Sequence, residues 1–235
     1  LEPACSIGIA YYPDDGEDLL ALLRAGDTAL YTAKENGKNQ YAFYKAELTH
    51  KAEYRFHVEQ NLRQAIEKQQ LSLVYQPQVN INTGEIFGVE ALARWPHPQL
   101  GEVSPNDFIA TAERIGMIKP LTEWVLRTAC GQLVVWKKAG FSTLRMAVNI
   151  SPSLFLDKEF VLLIKRIIDE TGIIPAELEL EVTESIVQTD PRNLAIFQDL
   201  KDLGVFLSID DFGTGYSSFA SLKHLKADYL KIDKY

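Results

Sequence analysis

Cysteine is scarce in this sequence: Cys5 and Cys130 are the two thiols among 235 residues. They lie far apart, without the spacing of a metal or redox pair, so a disulfide framework has no support and reduced, structural thiols are expected. Histidine is scattered as well. His50, His57, His97 and His224 share no local pattern that favours a histidine metal site. Positive charge is in deficit, with 24 Lys and Arg against 32 Asp and Glu, a formal net charge of −8 and a pI of about 5.1. That balance argues against duplex DNA, whose binding rests on Lys and Arg neutralising phosphates. A small anionic ligand stays compatible with it if a metal supplies positive charge locally. No apolar run approaches the roughly 20 residues of a membrane helix, and no secretory leader opens the chain. The first residue is Leu1 rather than Met, so a longer parent is expected, with any membrane anchor upstream; this segment reads as cytoplasmic.

What is present is ordinary in bulk, 46% hydrophobic and 24% charged, and sufficient for a sizeable core. Cys5 to Ala10 is an apolar strand candidate closed by the turn Pro13-Asp14-Asp15-Gly16. From Glu17, Leu19, Leu22, Leu23, Ala29, Leu30 and Ala33 recur at helical spacing, Gly37 is a natural stop, and Tyr41 to Tyr44 is one more strand. Residues 1–45 thus read as the tail of a preceding small α+β domain. A polar helix, 46–70, connects it to the larger C-terminal part of the chain.

From Leu71 the pattern becomes repeated strand-then-helix. Strands are expected at Ser72–Val79, Ile86–Trp95, Arg145–Ile150, Leu178–Val182, Phe206–Asp210 and Tyr229–Ile232. Amphipathic helices are expected at Pro105–Ile115, Leu121–Lys138, Lys158–Glu170, Pro191–Leu203 and Ser218–Leu225, with Gly140, Gly172 and Gly204 as stops. Such alternation indicates an α/β fold with a mainly parallel sheet. With about six strands, 71–235 reads as an incomplete TIM-like (β/α)8 barrel, short of closure by roughly two strand–helix units.

The strands share a chemical oddity. In Leu178-Glu179-Leu180-Glu181-Val182-Thr183, period-two alternation puts the apolar residues on one face and Glu179, Glu181 and Thr183 on the other. The same treatment groups Ala147 with Asn149, Ser208 with Asp210, Lys231 with Asp233, and Gly88 with Glu90, Leu92 and Arg94. Unpaired carboxylates on an inward face would cost several kcal/mol or protonate. Glu90, Asn149, Glu181 and Asp210 near the C-terminal strand ends form an all-oxygen donor set suited to Mg²⁺ or Mn²⁺, with Ca²⁺ inhibitory by size and geometry. TIM-barrel sites occupy that end. An antiparallel sheet with one wet face is the alternative that needs no metal.

Ordered motifs then add a family. Tyr75-Gln76-Pro77-Gln78, Gly88-Val89-Glu90-Ala91-Leu92-Ala93-Arg94-Trp95, Val148-Asn149-Ile150-Ser151, Leu180-Glu181-Val182-Thr183-Glu184-Ser185, Asp210-Asp211-Phe212-Gly213-Thr214-Gly215 and Leu230-Lys231-Ile232-Asp233 resemble the EAL-domain phosphodiesterases of cyclic di-GMP, in family order. Cys5-Ser6-Ile7-Gly8-Ile9-Ala10 and Arg24-Ala25-Gly26-Asp27-Thr28-Ala29-Leu30-Tyr31 resemble the end of a GGDEF domain, whose naming motif is absent here. Gly26 stands where that family usually has alanine. The EAL resemblance implies a two-metal site with Glu90, Asn149, Glu181 and Asp210 as ligands and Asp211 at the second ion. It implies Lys231 positioning the attacking water, Gln76 and Arg94 contacting the dinucleotide, and Glu184 supporting the loop after Asp211. The implied reaction is metal-dependent hydrolysis of cyclic di-GMP to linear pGpG in the full-length parent, with a non-catalytic cyclic di-GMP sensor as the alternative. A homodimer through the EAL-like part is the assembly that resemblance allows.

Overall fold

The computed structural model describes residues 4–183, 191–213 and 227–232. The chain divides into two compact units, Leu1–Asn61 and Leu62–Tyr235. In the first, β1 (Ile7–Ile9) and β2 (Tyr41–Phe43) pair in parallel, Ile7 opposite Tyr41, and α1 (Leu19–Glu35) connects them. Asp18 caps α1 by accepting the Ala21 N–H at 2.7 Å, which satisfies one of the free donors of the first turn. A Cβ on Gly8 would collide with the backbone of Gly26 and Leu30, so glycine at β1 is what lets the strand lie against α1. Gly26 itself has open space where a Cβ would stand, so its cost of roughly 1 kcal/mol to the helix has no compensating close contact. α1 buries only small side chains here, Ala25, Ala29 and Ala33. α2 (Ala46–Glu67) runs across the boundary between the units.

The second unit is the α/β part, with β3 (Ser72–Val79), β4 (Ile86–His97), β5 (Gly101–Val103), α3 (Pro105–Arg114), α4 (Ile118–Lys138) and β6 (Arg145–Asn149). Next in the chain come α5 (Glu159–Thr171), β7 (Leu178–Thr183), α6 (Pro191–Leu203), β8 (Phe206–Phe212) and β9 (Tyr229–Ile232). The sheet order is β3-β4-β6-β7-β8-β9, parallel from β4 onward, as in a TIM-like barrel. The expected helix at Ser218–Leu225 lies outside the described residues. Elsewhere the strand and helix expectations hold to within a few residues, and α5 stops where Gly172 takes φ 72° and donates its N–H to Ile168.

Two features depart from the repeated unit. β3 runs antiparallel to β4, joined by a tight turn in which the Asn80 side chain accepts the N–H groups of Asn82 and Thr83. β5 folds back on the end of β4, Trp95 opposite Val103, and the buried Trp95 ring meets Phe108 of α3 edge-on at 6.0 Å. The alternation of β7 is fully used. Leu178, Leu180 and Val182 join Leu126 and Leu133 of α4 and Ile164 and Ile167 of α5 in one apolar core, while Glu179 and Glu181 are buried on the opposite face. Each large side chain so buried contributes about 1.5–3 kcal/mol, enough to force the glutamates inward.

Among the described residues no helix is long and apolar enough to cross a membrane. Cys130 of α4 lies wholly inside the apolar core, whereas Cys5 is exposed. Burial raises the Cys130 thiol from 9.0 to about 12. Its neutral form therefore favours the folded state with an advantage present below pH 9 and lost as pH rises towards 12. Native protein should show one fast thiol in a disulfide-exchange assay and the second only on unfolding. Raising pH from 8 to 10.5 should remove about 2 kcal/mol of folding stability that a Cys130→Ala variant does not lose, read from denaturant midpoints.

Candidate functional site

The C-terminal ends of the parallel strands bring five predicted residues together. The ladders pair Asn149 with Glu181 and Glu181 with Ser208, which keeps Asn149, Glu181 and Asp210 on one face. Glu90 joins from β4, opposite Ala147, and Lys231 from β9. The Lys231 ammonium donates to Glu181 Oε2 at 2.7 Å, Glu90 Oε2 at 3.2 Å and Asp210 Oδ2 at 3.4 Å. The Asn149 amide donates to Glu90 Oε1 at 2.7 Å. Lys231 is thus the meeting point of three carboxylates from three strands.

Glu181 is fully buried, and its Oε1 has no hydrogen-bond partner among the described residues. Burial pushes its carboxyl up to about 8, against the opposing pull of Lys231 and with help from the neighbouring Glu90 and Asp210 charges. For Lys231, burial works to lower the value, but Glu181, Glu90 and Asp210 prevail and hold it above the ordinary lysine range. Lys231 stays charged, and the ring keeps an excess of negative charge.

Asp210 and Asp211 sit at a bulge, where the β8–β9 register shifts between Ile209 and Phe212. Asp211 takes φ 55°, a left-handed conformation uncommon outside glycine and better tolerated by Asp and Asn than by most residues. Its N–H donates to Asp210 Oδ1 at 2.9 Å, and the residue is exposed. Simple alternation would set these neighbours on opposite faces, and the bulge interrupts that alternation at this point. Gln76 lies opposite Glu90 in the β3–β4 ladder and so shares its face. Arg94 is two same-face positions further along β4, opposite Ser72, and its guanidinium donates to the Ala93 carbonyl at 2.8 Å rather than to the ring. Glu184 lies outside the described residues, as does Asp233.

Two arrangements escape the sequence pattern. At the start of the strands, Arg145 pairs with the buried Glu179 at 3.1 Å and lies over Phe206 and Tyr229. Alternation marks Glu179 as inward, but nothing in the spacing names its partner. On the loop after β6, the Ser151 hydroxyl donates to Glu113 of α3 at 2.6 Å, tying Asn149's neighbour to a helix. Among the described residues no group of three or more His, Cys, Asp or Glu side chains is arranged to hold a metal ion. The ammonium of Lys231 occupies the focus instead.

The EAL domain profile matches residues 59–235, three quarters of the chain. The chain belongs to the EAL domain family. A match to the diguanylate cyclase GGDEF domain covers residues 1–40 of this EAL protein. Among curated relatives, the bifunctional diguanylate cyclase/cyclic di-GMP phosphodiesterase MucR of Pseudomonas aeruginosa is 42% identical over 232 residues, 98% of this chain and 34% of that protein. The cyclic di-GMP phosphodiesterase PdeR of Escherichia coli K12 is 38% identical over 98% of this chain and 35% of its own length. The chain therefore spans about a third of these relatives. A solved PaMucR phosphodiesterase in complex with c-di-GMP superposes with a TM-score of 0.72 at 44% identity, covering 75% of this chain and 72% of that one.

Removing the ammonium from this EAL site leaves buried carboxylates facing one another. Lys231→Met should destabilise metal-free protein by about 3 kcal/mol, measured by denaturant unfolding, with Glu181→Gln/Lys231→Met recovering part of the loss. A wild-type midpoint in the single variant would contradict the convergence of three carboxylates on Lys231.

Proposed function

We propose that the second unit carries a metal-dependent phosphodiesterase site that hydrolyses one phosphodiester bond of cyclic di-GMP to give linear pGpG, acting in second-messenger signalling within the full-length protein. The observation that carries this reading is the convergence of Glu90, Glu181 and Asp210 on the single Lys231 ammonium at the C-terminal strand ends. Family membership implies dependence on a divalent metal. The residues fit such ions: their donors are oxygens, their summed charge is negative, and Glu181 Oε1 is buried without a hydrogen-bond partner among the described residues. Glu90, Asn149, Glu181 and Asp210 would hold Mg²⁺ or Mn²⁺, with Asp211 at a second ion. When bound, such a pair supplies Lewis acidity to the phosphate and makes a water acidic near neutral pH.

The chain's own residues do the remainder. Asn149 fixes the Glu90 carboxylate through its 2.7 Å bond and so sets which oxygen is left for other partners. Lys231, held charged, keeps a proton donor aimed at the space between the carboxylates and orients the attacking water there. Gln76, across from Glu90, offers an amide to the dinucleotide, and Arg94 offers a fork suited to a phosphate oxygen. Glu184 would steady the loop after Asp211. MucR and PdeR, whose names specify cyclic di-GMP phosphodiesterases, and the PaMucR complex with c-di-GMP support the choice of substrate.

The test is release of pGpG from cyclic di-GMP by the full-length protein with Mg²⁺ or Mn²⁺, compared with a chelated sample and with Glu90→Ala. Chelation and Glu90→Ala should each lower turnover by at least about 100-fold. No pGpG from folded, metal-loaded protein would sink the enzyme reading, and retained nucleotide affinity would then favour a sensor.

A further inference from the structure

The strand that carries Lys231 is short, four residues long. β9 pairs only with β8 among the described strands, through Ser208–Tyr229, Ile209–Leu230 and Phe212–Ile232. Among the described residues, the bulge at Asp210 and Asp211 leaves none paired opposite Lys231. The ladder holds Leu230 and Ile232 on either side of Lys231, and the aim of the ammonium, 2.7 Å from Glu181, is left to side-chain packing.

Side chains at the other end of the same strands add a lateral contact to the ladder. Tyr229 precedes Lys231 by two residues and so faces the same side. The Arg145 guanidinium lies 4.9 Å from the Tyr229 ring and 3.9 Å from the Phe206 ring, and the two rings are 5.8 Å apart. Glu179 holds the guanidinium from β7 at 3.1 Å. The result is a strut that reaches from β6 to the exposed Tyr229 of β9 along one face of the sheet, past two intervening strands. A planar cation suits it, because one face can lie on aromatic rings while the N–H edge meets a carboxylate. Asp228 fixes the entry of β9 by accepting the Leu207 N–H at 2.8 Å. That bond, the return bond from the Asp228 N–H to the Leu207 carbonyl at 2.8 Å and the Lys201 ion pair at 2.6 Å restrain the strand's start, three residues before Lys231.

We infer that Arg145 is a positioning residue for the reaction: through Tyr229 it sets the lateral place of β9 and thereby aims Lys231 at the carboxylate ring. Arg145 belongs to the floor, the N-terminal end of the strands, so it touches neither substrate nor reacting atoms. The assignment rests on the phosphodiesterase reading for its kinetic consequence, but its structural consequence can be measured without activity.

The experiment uses the full-length protein with the double variant Arg145→Met/Glu179→Gln, which removes the strut without leaving a buried carboxylate unpaired. Displacing an aimed group by less than an ångström should lower kcat at least about tenfold while KM stays within about twofold, because Gln76 and Arg94 lie on other strands. Hydrogen exchange at 229–232 should quicken at least about tenfold, with β6 and β7 amides unchanged. Tyr229→Leu, which keeps the ion pair, should reproduce both effects, whereas the conservative Tyr229→Phe should retain most of kcat. Unchanged kcat or unchanged β9 exchange in a folded double variant, or in Tyr229→Leu if the double variant does not fold, overturns the assignment. Absence of cleavage by unmodified protein overturns the functional reading instead, and the exchange comparison then decides alone whether Arg145 positions β9.

Discussion

Three carboxylates compete for one ammonium, and the architecture of the second unit is organised around that imbalance. Glu90, Glu181 and Asp210 come from three strands, and Lys231 from a fourth. Burying them is costly, since each charge leaves behind a hydration shell worth several kcal/mol. The apolar faces of the same strands oblige them to be there: Leu178, Leu180 and Val182 cannot enter the helical layer without turning Glu179 and Glu181 inward. The core thus drives charge into the interior, and Lys231 makes that arrangement tolerable without making it neutral.

The two ends of the interior resolve the same problem differently. At the floor, Glu179 has a fork-shaped cation of matching charge, with aromatic rings against its face. That set is balanced and has no evident demand for a further ion. At the top, oxygens outnumber cations, one carboxylate oxygen is buried without a hydrogen-bond partner among the described residues, and a bulge disturbs the ladder. Balance marks a group serving the fold. Imbalance, at the strand ends where a barrel opens, marks a group awaiting something else. The distinction is useful because both ends arise from one alternation of residues and look equivalent when only inward positions are counted.

Alternation is also why so much could be read in advance. A period of two is a property of strands themselves, so the shared face of Glu90, Asn149, Glu181, Asp210 and Lys231 was visible before any pairing was known. Helix limits came from apolar spacing and from Gly172. Direction was not visible: a strand pattern reads the same either way, and the antiparallel run of β3 within a mainly parallel sheet carries no mark in its residues. Nor was the bulge at Asp210 and Asp211 visible, because it depends on a backbone rotation at one residue. The role of Arg145 is not legible in the sequence for a third reason. Its meaning depends on Tyr229, more than eighty positions away and on a non-adjacent strand, a relation that only the folded sheet creates.

The antiparallel β3 has a consequence for how the site assembles. Parallel strands must wait for an intervening helix to fold back before they can align, whereas a hairpin closes over a handful of residues. The turn that begins at Asn80 therefore sets Gln76 beside Glu90 by a local event. Asn149, Glu181, Asp210 and Lys231 reach that pair only through long crossovers, which close more slowly. One corner of the site is in this sense local, closed at small entropic cost, while the other charges depend on long-range closure.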